Sequence, residues 1–96
     1  MSVMVMVHFR AGEGNAEALL ALLRKGRDFS LRAEGCEAFE VYQGRDDPHR
    51  FVLVERWTSI EAHHANVEQN VKGSGHLDKI LPLLSEPIQS GAYRAV

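Results

Sequence analysis

Cysteine is nearly missing from this chain. The single one, Cys36, excludes an intrachain disulfide and leaves no cysteine-built zinc site unless two chains share one. A reducing, cytoplasmic setting fits that usage. Long apolar runs are missing too. The start, Met1-Ser2-Val3-Met4-Val5-Met6-Val7, falls far short of the roughly 20 residues that cross a bilayer. It also lacks the basic flank of a secretory leader, so it is expected to be a strand and no membrane association is expected. Charge of one sign is not in excess: eleven Lys and Arg face thirteen Asp and Glu, for a net charge of −2. No block of five like charges occurs, which argues against a phosphate-reading surface and hence against nucleic acid as a partner. The dinucleotide and P-loop glycine motifs, the serine elbow and the HExxH metal pair are absent as well.

What is present is an ordinary globular composition, 45% hydrophobic and 25% charged, which disfavours disorder. Ninety-six residues suffice for one domain spanning 1–96. By size scaling such a chain buries about 64% of its extended surface. The core is therefore thin, and association with another copy is a natural source of further burial.

Val3 to Arg10 reads as a strand. Ala11-Gly12-Glu13-Gly14 ends it, and Asn15 is placed to cap a helix from Ala16 to about Arg32. Leu19, Leu22, Leu23 and Phe29 recur there at helical spacing, despite Gly26, which costs about 1 kcal/mol against Ala. Gly35 ends that helix. Ala38 to Gly44 and Arg50 to Trp57 read as strands joined by the turn Arg45-Asp46-Asp47-Pro48-His49, hence a hairpin. Thr58-Ser59-Ile60-Glu61 has the form of a capping box on Thr58, starting a helix that runs to about Lys72. After Gly73-Ser74-Gly75 a short helix is expected from His76 to Leu84, then a last strand from Ile88 to Val96. The order β-α-β-β-α-β is the split, ferredoxin-like α+β plan.

The strands do not alternate between apolar and polar residues. Val3, Val5, Val7 and Phe9 oppose Met4 and Met6; Phe51 and Leu53 oppose Val52 and Val54. Helices can cover one sheet face only, so the pattern predicts a homodimer packed sheet face to sheet face. RNA-recognition domains share the chain order, but their basic-glycine-aromatic run is missing from Phe51-Val52-Leu53-Val54-Glu55-Arg56-Trp57.

Candidate chemistry gathers where the third strand meets the next helix. On a helical wheel Val67 and Val71 fall close to Ile60, His63 and His64 flank that stripe, and Asn66 and Asn70 lie on the His63 side. Beside Trp57 this offers imidazoles and amides next to apolar surface, the makings of a pocket for an aromatic molecule. Phe51, Leu53 and Tyr42 are candidate ring contacts. His76 is expected either in solvent, the favoured reading, or closing over the pocket. Glu55 and Arg56 read as surface or interface ion-pair partners. Adjacent helix positions point about 100° apart, so His63 and His64 make a poor metal pair, and no metal is expected.

The segments Glu34-Gly35-Cys36, Phe39-Glu40-Val41-Tyr42 and above all Asp47-Pro48-His49-Arg50-Phe51-Val52-Leu53-Val54-Glu55-Arg56-Trp57, followed by Thr58-Ser59-Ile60-Glu61-Ala62, resemble the antibiotic biosynthesis monooxygenase domain over roughly residues 3 to 95. The resemblance implies a dimeric α+β barrel that oxidises a phenolic or quinol-type aromatic with dioxygen, without metal or flavin. It also implies that Trp57 is the cavity tryptophan, that His63 or His64 is the general base, and that Asn66, where the family's histidine most often falls, is a hydrogen-bond donor to the oxygen intermediate. Val67, Asn70 and His76 would complete the substrate contacts. A heme-degrading branch of the family uses a first-strand asparagine, which Val3 to Arg10 lacks, so heme ranks below cofactor-free oxidation. A binding or stress-associated dimer without turnover is the non-enzymatic alternative.

Overall fold

In the computed structural model, which describes residues 1–96, strand β1 (Val3–Arg10) leads into helix α1 (Ala16–Leu31). Strands β2 (Cys36–Gln43) and β3 (Arg50–Trp57) follow as a hairpin. Helix α2 (Ile60–Asn66) continues as a π-helical segment, Val67–Lys72. Helix α3 (His76–Ile80), a 3-10 turn (Leu81–Leu83) and strand β4 (Gln89–Tyr93) complete the chain. The four strands pair antiparallel in the order β2-β3-β1-β4, which is the ferredoxin-like arrangement expected from the sequence. No helix is long and apolar enough to cross a membrane.

Register sets what each face holds. Val5 lies opposite Glu55, Val7 opposite Leu53 and Phe9 opposite Phe51, and strand residues two apart share a face. That face is covered by helices: Phe9, Phe39, Phe51 and Leu53 are buried against Leu19 and Leu23 of α1 and Ile80 of α3. Each fully buried side chain of this size is worth about 1.5–3 kcal/mol. The opposite face carries Met4, Met6, Val52 and Val54, all half-buried, while Tyr42 and Tyr93 are 48% and 55% exposed. No helix covers it.

Several local expectations are corrected. Asn15 makes no side-chain cap on α1; its amide donates to the Leu83 carbonyl (3.3 Å) instead, tying the helix start to the 3-10 turn. Ser59, not Thr58, caps α2, accepting from the Ala62 backbone N–H at 3.1 Å, and the Thr58 N–H, which a capping box would offer to Glu61, donates instead to the Gly35 carbonyl at 2.8 Å. Gly35 has φ +86°, and a Cβ there would sit 2.6 Å from that of Ala62, so both backbone sign and space require glycine. The helix expected over His76 to Leu84 stops being α-helical at Ile80, since Pro82 offers no N–H to the ladder. Strand β4 ends at Tyr93 rather than Val96.

Candidate functional site

A cavity of about 410 Å³ lies between the covered sheet face and the helices, within the range of small-molecule sites. Val7, Phe9, Phe39 and Leu53 form its sheet wall, and Phe29, Val67 and Val71 face them from the helices. Leu53 and Val67 were expected here. Polar side chains enter at few points: Glu55 from β3, His63, His64 and Asn66 from α2, Ser30 from α1 and His76 from α3. Glu68 and Lys72, bridged at 3.0 Å, lie at the solvent-exposed rim.

The π-helical winding shapes one wall. The Gly73 N–H reaches the Glu68 carbonyl five residues back, at 3.0 Å, instead of the four of an α-helix. Such segments occur often at functional sites. Wheel angles computed for an α-helix no longer hold past Asn66, and Val67, Glu68, Val71 and Lys72 all line the cavity.

Glu55 is the group that sequence reasoning placed wrongly. It is 4% exposed and lines the cavity, neither at the surface nor on the open sheet face. Its position follows from register, because Phe51, Leu53, Glu55 and Trp57 alternate inward along β3. The indole Nε1 of Trp57 donates to Glu55 Oε1 at 2.9 Å. Burial pushes the carboxyl up to about 7, against the indole bond, which lowers it. Near neutral pH the group can therefore either hold or take a proton.

His63 stands beside it, with Nε2 3.9 Å from Glu55 Oε1. Its other nitrogen, Nδ1, is enclosed and has no hydrogen-bond partner. Burial, and the neighbouring His64, hold the imidazole below its ordinary pKa. The His63 ring meets the Trp57 indole edge-on at 5.7 Å, and the His64 ring lies 5.7 Å away on the other side. His64 is the exposed member of the pair.

On the α1 side, the Asn66 amide is 4% exposed. It donates to Ser30 Oγ at 3.0 Å and accepts from Asn70 Nδ2 at 2.8 Å. His76, which the sequence favoured placing in solvent, is 6% exposed. It packs edge-on against Phe29 at 5.0 Å, with Nε2 2.9 Å from where a Cβ on Gly26 would stand. The helix glycine thus makes room for an imidazole.

Four expected ligand contacts are not found at the cavity. Trp57 is fully buried and contributes nothing to the lining; it packs against His63 and bonds Glu55, so it supports these groups without holding a ring. Phe51 is 2% exposed within the core cluster, too enclosed to meet a ligand. Tyr42, paired with Val52 on the open face, bonds Glu40 at 2.7 Å. Asn70 turns to a second, more polar hollow outside α2, which Asn66 also borders.

The model of the antibiotic biosynthesis monooxygenase family matches residues 2–69. Among solved structures, a Nitrosomonas europaea chain named as a candidate antibiotic biosynthesis monooxygenase superposes with a TM-score of 0.91 at 24% identity, covering 99% of this chain and 90% of that one. Rv0793 from Mycobacterium tuberculosis gives 0.89 at 22% identity, with 100% and 96% covered. SO0527 from Shewanella oneidensis gives 0.85 at 25% identity, with 96% and 88% covered. Among curated proteins none matches. With the family pattern spanning most of its length and the same fold in these structures, the chain belongs to the antibiotic biosynthesis monooxygenase family.

Proposed function

We propose that this protein oxidises a planar phenolic or quinol-type aromatic with dioxygen and needs no bound cofactor. The observation that carries this reading is the cavity itself, apolar on its broad walls and bordered by a proton-exchanging cluster, Glu55 with His63, beside the Asn66 amide. Such a substrate supplies all the electrons the reaction consumes. A hydroquinone and one dioxygen give a hydroxyquinone and one water; an anthrone methylene and one dioxygen give a ketone and one water. Loss of the phenolic proton makes the ring electron-rich enough to pass one electron to dioxygen. The resulting ring radical and superoxide recombine at carbon as a peroxide. Its O–O bond then breaks, the carbon-bound hydrogen leaves, and water is released. The protein's part is to bind the ring, accept the proton and exclude bulk water. Asn66 spends one amide hydrogen on Ser30; the second remains for a peroxide oxygen.

The uncovered sheet face supports a second copy as partner, with Met4, Met6, Val52 and Val54 of each chain meeting their counterparts. Heme does not suit the residues present. Strand β1 has no asparagine, His63 turns Nε2 to Glu55 and encloses Nδ1, and His76 presses Nε2 over Gly26. Oxygen uptake against a panel of quinols and anthrones, with chelator present, tests the reading. Uptake unaffected by chelator is expected. Tight binding of the aromatics with no uptake would instead make the protein a binding module.

A further inference from the structure

We infer that Glu55 is the catalytic residue that takes the substrate's hydroxyl proton, and that His63 and Trp57 are positioning residues that act through it. The inference rests on the oxidation proposed above and assigns its proton to one atom. The step is a single transfer: the phenolic O–H bond breaks, a Glu55 carboxylate oxygen gains the hydrogen, and the ring keeps the electron pair as phenolate.

The geometry decides between carboxylate and imidazole. A neutral imidazole carries one N–H and one bare nitrogen. The Nδ1 of His63 is enclosed and partnerless, and an orphaned N–H in such a place costs more than an orphaned lone pair, since under-satisfied acceptors are the better tolerated. The proton therefore belongs on Nε2, the nitrogen 3.9 Å from Glu55 Oε1, where it points at the carboxylate. Taking up a second proton would put an unsatisfied N–H on Nδ1, so His63 is a poor proton acceptor. Glu55 has the opposite balance. It has one hydrogen bond, from Trp57 Nε1 at 2.9 Å, and otherwise faces the cavity wall. A carboxylate that is buried this deeply and bonded this sparsely gains by binding a proton.

The groups facing Glu55 are few. Strand β1 presents Val5; β2 presents Phe39 and the Cys36 thiol, which burial and then Glu55 hold above its ordinary pKa. From α2 come His63 and, beyond it, His64. Across the cavity are Glu68, Lys72 and His76. None of these is a cation in contact with Glu55. Carboxylate formation, with activity, should therefore rise through about pH 7, where burial sets this group.

Oxygen uptake with an anthrone, followed from pH 5.5 to 9, provides the test on purified whole protein. Glu55→Gln keeps the acceptor for the indole N–H. It is expected to lower kcat by about 10²- to 10⁴-fold, the usual worth of a positioned base, with KM little changed. His63→Gln is expected to lose less than Glu55→Gln and to retain a rising limb near pH 7, because the one hydrogen bond to the carboxylate, from Trp57 Nε1, stays in place. Wild-type kcat and limb in Glu55→Gln would overturn the assignment. So would a loss in His63→Gln equal to that in Glu55→Gln with the limb abolished, which would return the base to His63. Absence of uptake by the wild type would fail the oxidation reading alone. In that event, carboxyl NMR of protein labelled at Glu, with and without 2-naphthol, decides. A resonance titrating near pH 7 that is missing in Glu55→Gln, and whose midpoint falls when the naphthol binds, upholds Glu55 as the hydroxyl's partner. An unmoved midpoint overturns it.

Discussion

Gly26→Ala probes how α1 and α3 share space at the cavity. In a helix interior with free room, replacing Gly by Ala stabilises by about 1 kcal/mol. Here the new methyl would lie 2.9 Å from His76 Nε2, closer than any ordinary contact. The imidazole cannot yield freely, being 6% exposed and stacked edge-on against Phe29. Overpacking of this kind costs about 1–3 kcal/mol, so the net change runs from about zero to 2 kcal/mol of destabilisation, with the ring displaced toward the cavity. In a His76→Ala background the obstacle is gone and the full gain of about 1 kcal/mol should return. The coupling between the two sites is then about 1–3 kcal/mol. Urea unfolding of the four proteins of this cycle measures it, and thermal midpoints report it as well, since 1 kcal/mol moves a domain of this size by roughly 4–8 °C. Aromatic ligands should bind Gly26→Ala more weakly than the parent. Equal stabilisation of about 1 kcal/mol in both backgrounds would show that His76 does not rest on Gly26, and would refute the reasoning.

Further predictions concern the acid–base cluster and the open sheet face. Glu55 has its folded pKa raised from 4.5 to about 7, so its stabilising contribution is complete below the unfolded value and lost as pH rises through about 7. Relative to Glu55→Gln, the wild type should lose most of about 3 kcal/mol between pH 4.5 and 8; parallel urea midpoints at the two ends would contradict this. Trp57→Phe removes the N–H donated to Glu55, a bond to a charged acceptor worth about 1.5–3 kcal/mol. It should therefore destabilise more at pH 8 than at pH 5 and push the carboxyl, and the activity limb with it, to higher pH. Met6→Glu places a charge in the centre of the uncovered face, opposite Val54. In sedimentation it should run as one chain of 10.7 kDa where the parent runs as two, and a monomeric parent would remove the proposed partner.

The strand and helix order was readable because hydrophobic periodicity and turn residues are local: Val3 to Arg10, the Asp47-Pro48 turn and Gly35 each act within a few residues. The caps were less readable, since Asn15 and Thr58 spend their hydrogen bonds on partners distant in the chain, Leu83 and Gly35. At the site, Leu53, His63, Asn66 and Val67 were found from helix and strand spacing. Glu55 was missed although the signal was present, a lone carboxylate on the inward alternation Phe51, Leu53, Trp57. A charge on an apolar face marks either an error of register or a functional group. Gly26 and His76 carry a similar signal in two parts, a helix-breaking glycine and a histidine 50 residues on, whose meeting only the packing of α1 on α3 reveals. The π-helical winding beyond Asn66 had no visible sequence cue, and it moved Asn70 away from where an α-helical wheel placed it.

Oxidation in an atmosphere of ¹⁸O₂, followed by mass spectrometry of the product, tests the central claim most directly. Monooxygenation in this cavity puts a single labelled atom into each product molecule and the other into water, in chelator as without it. Product free of label, or carrying both atoms, would contradict the account.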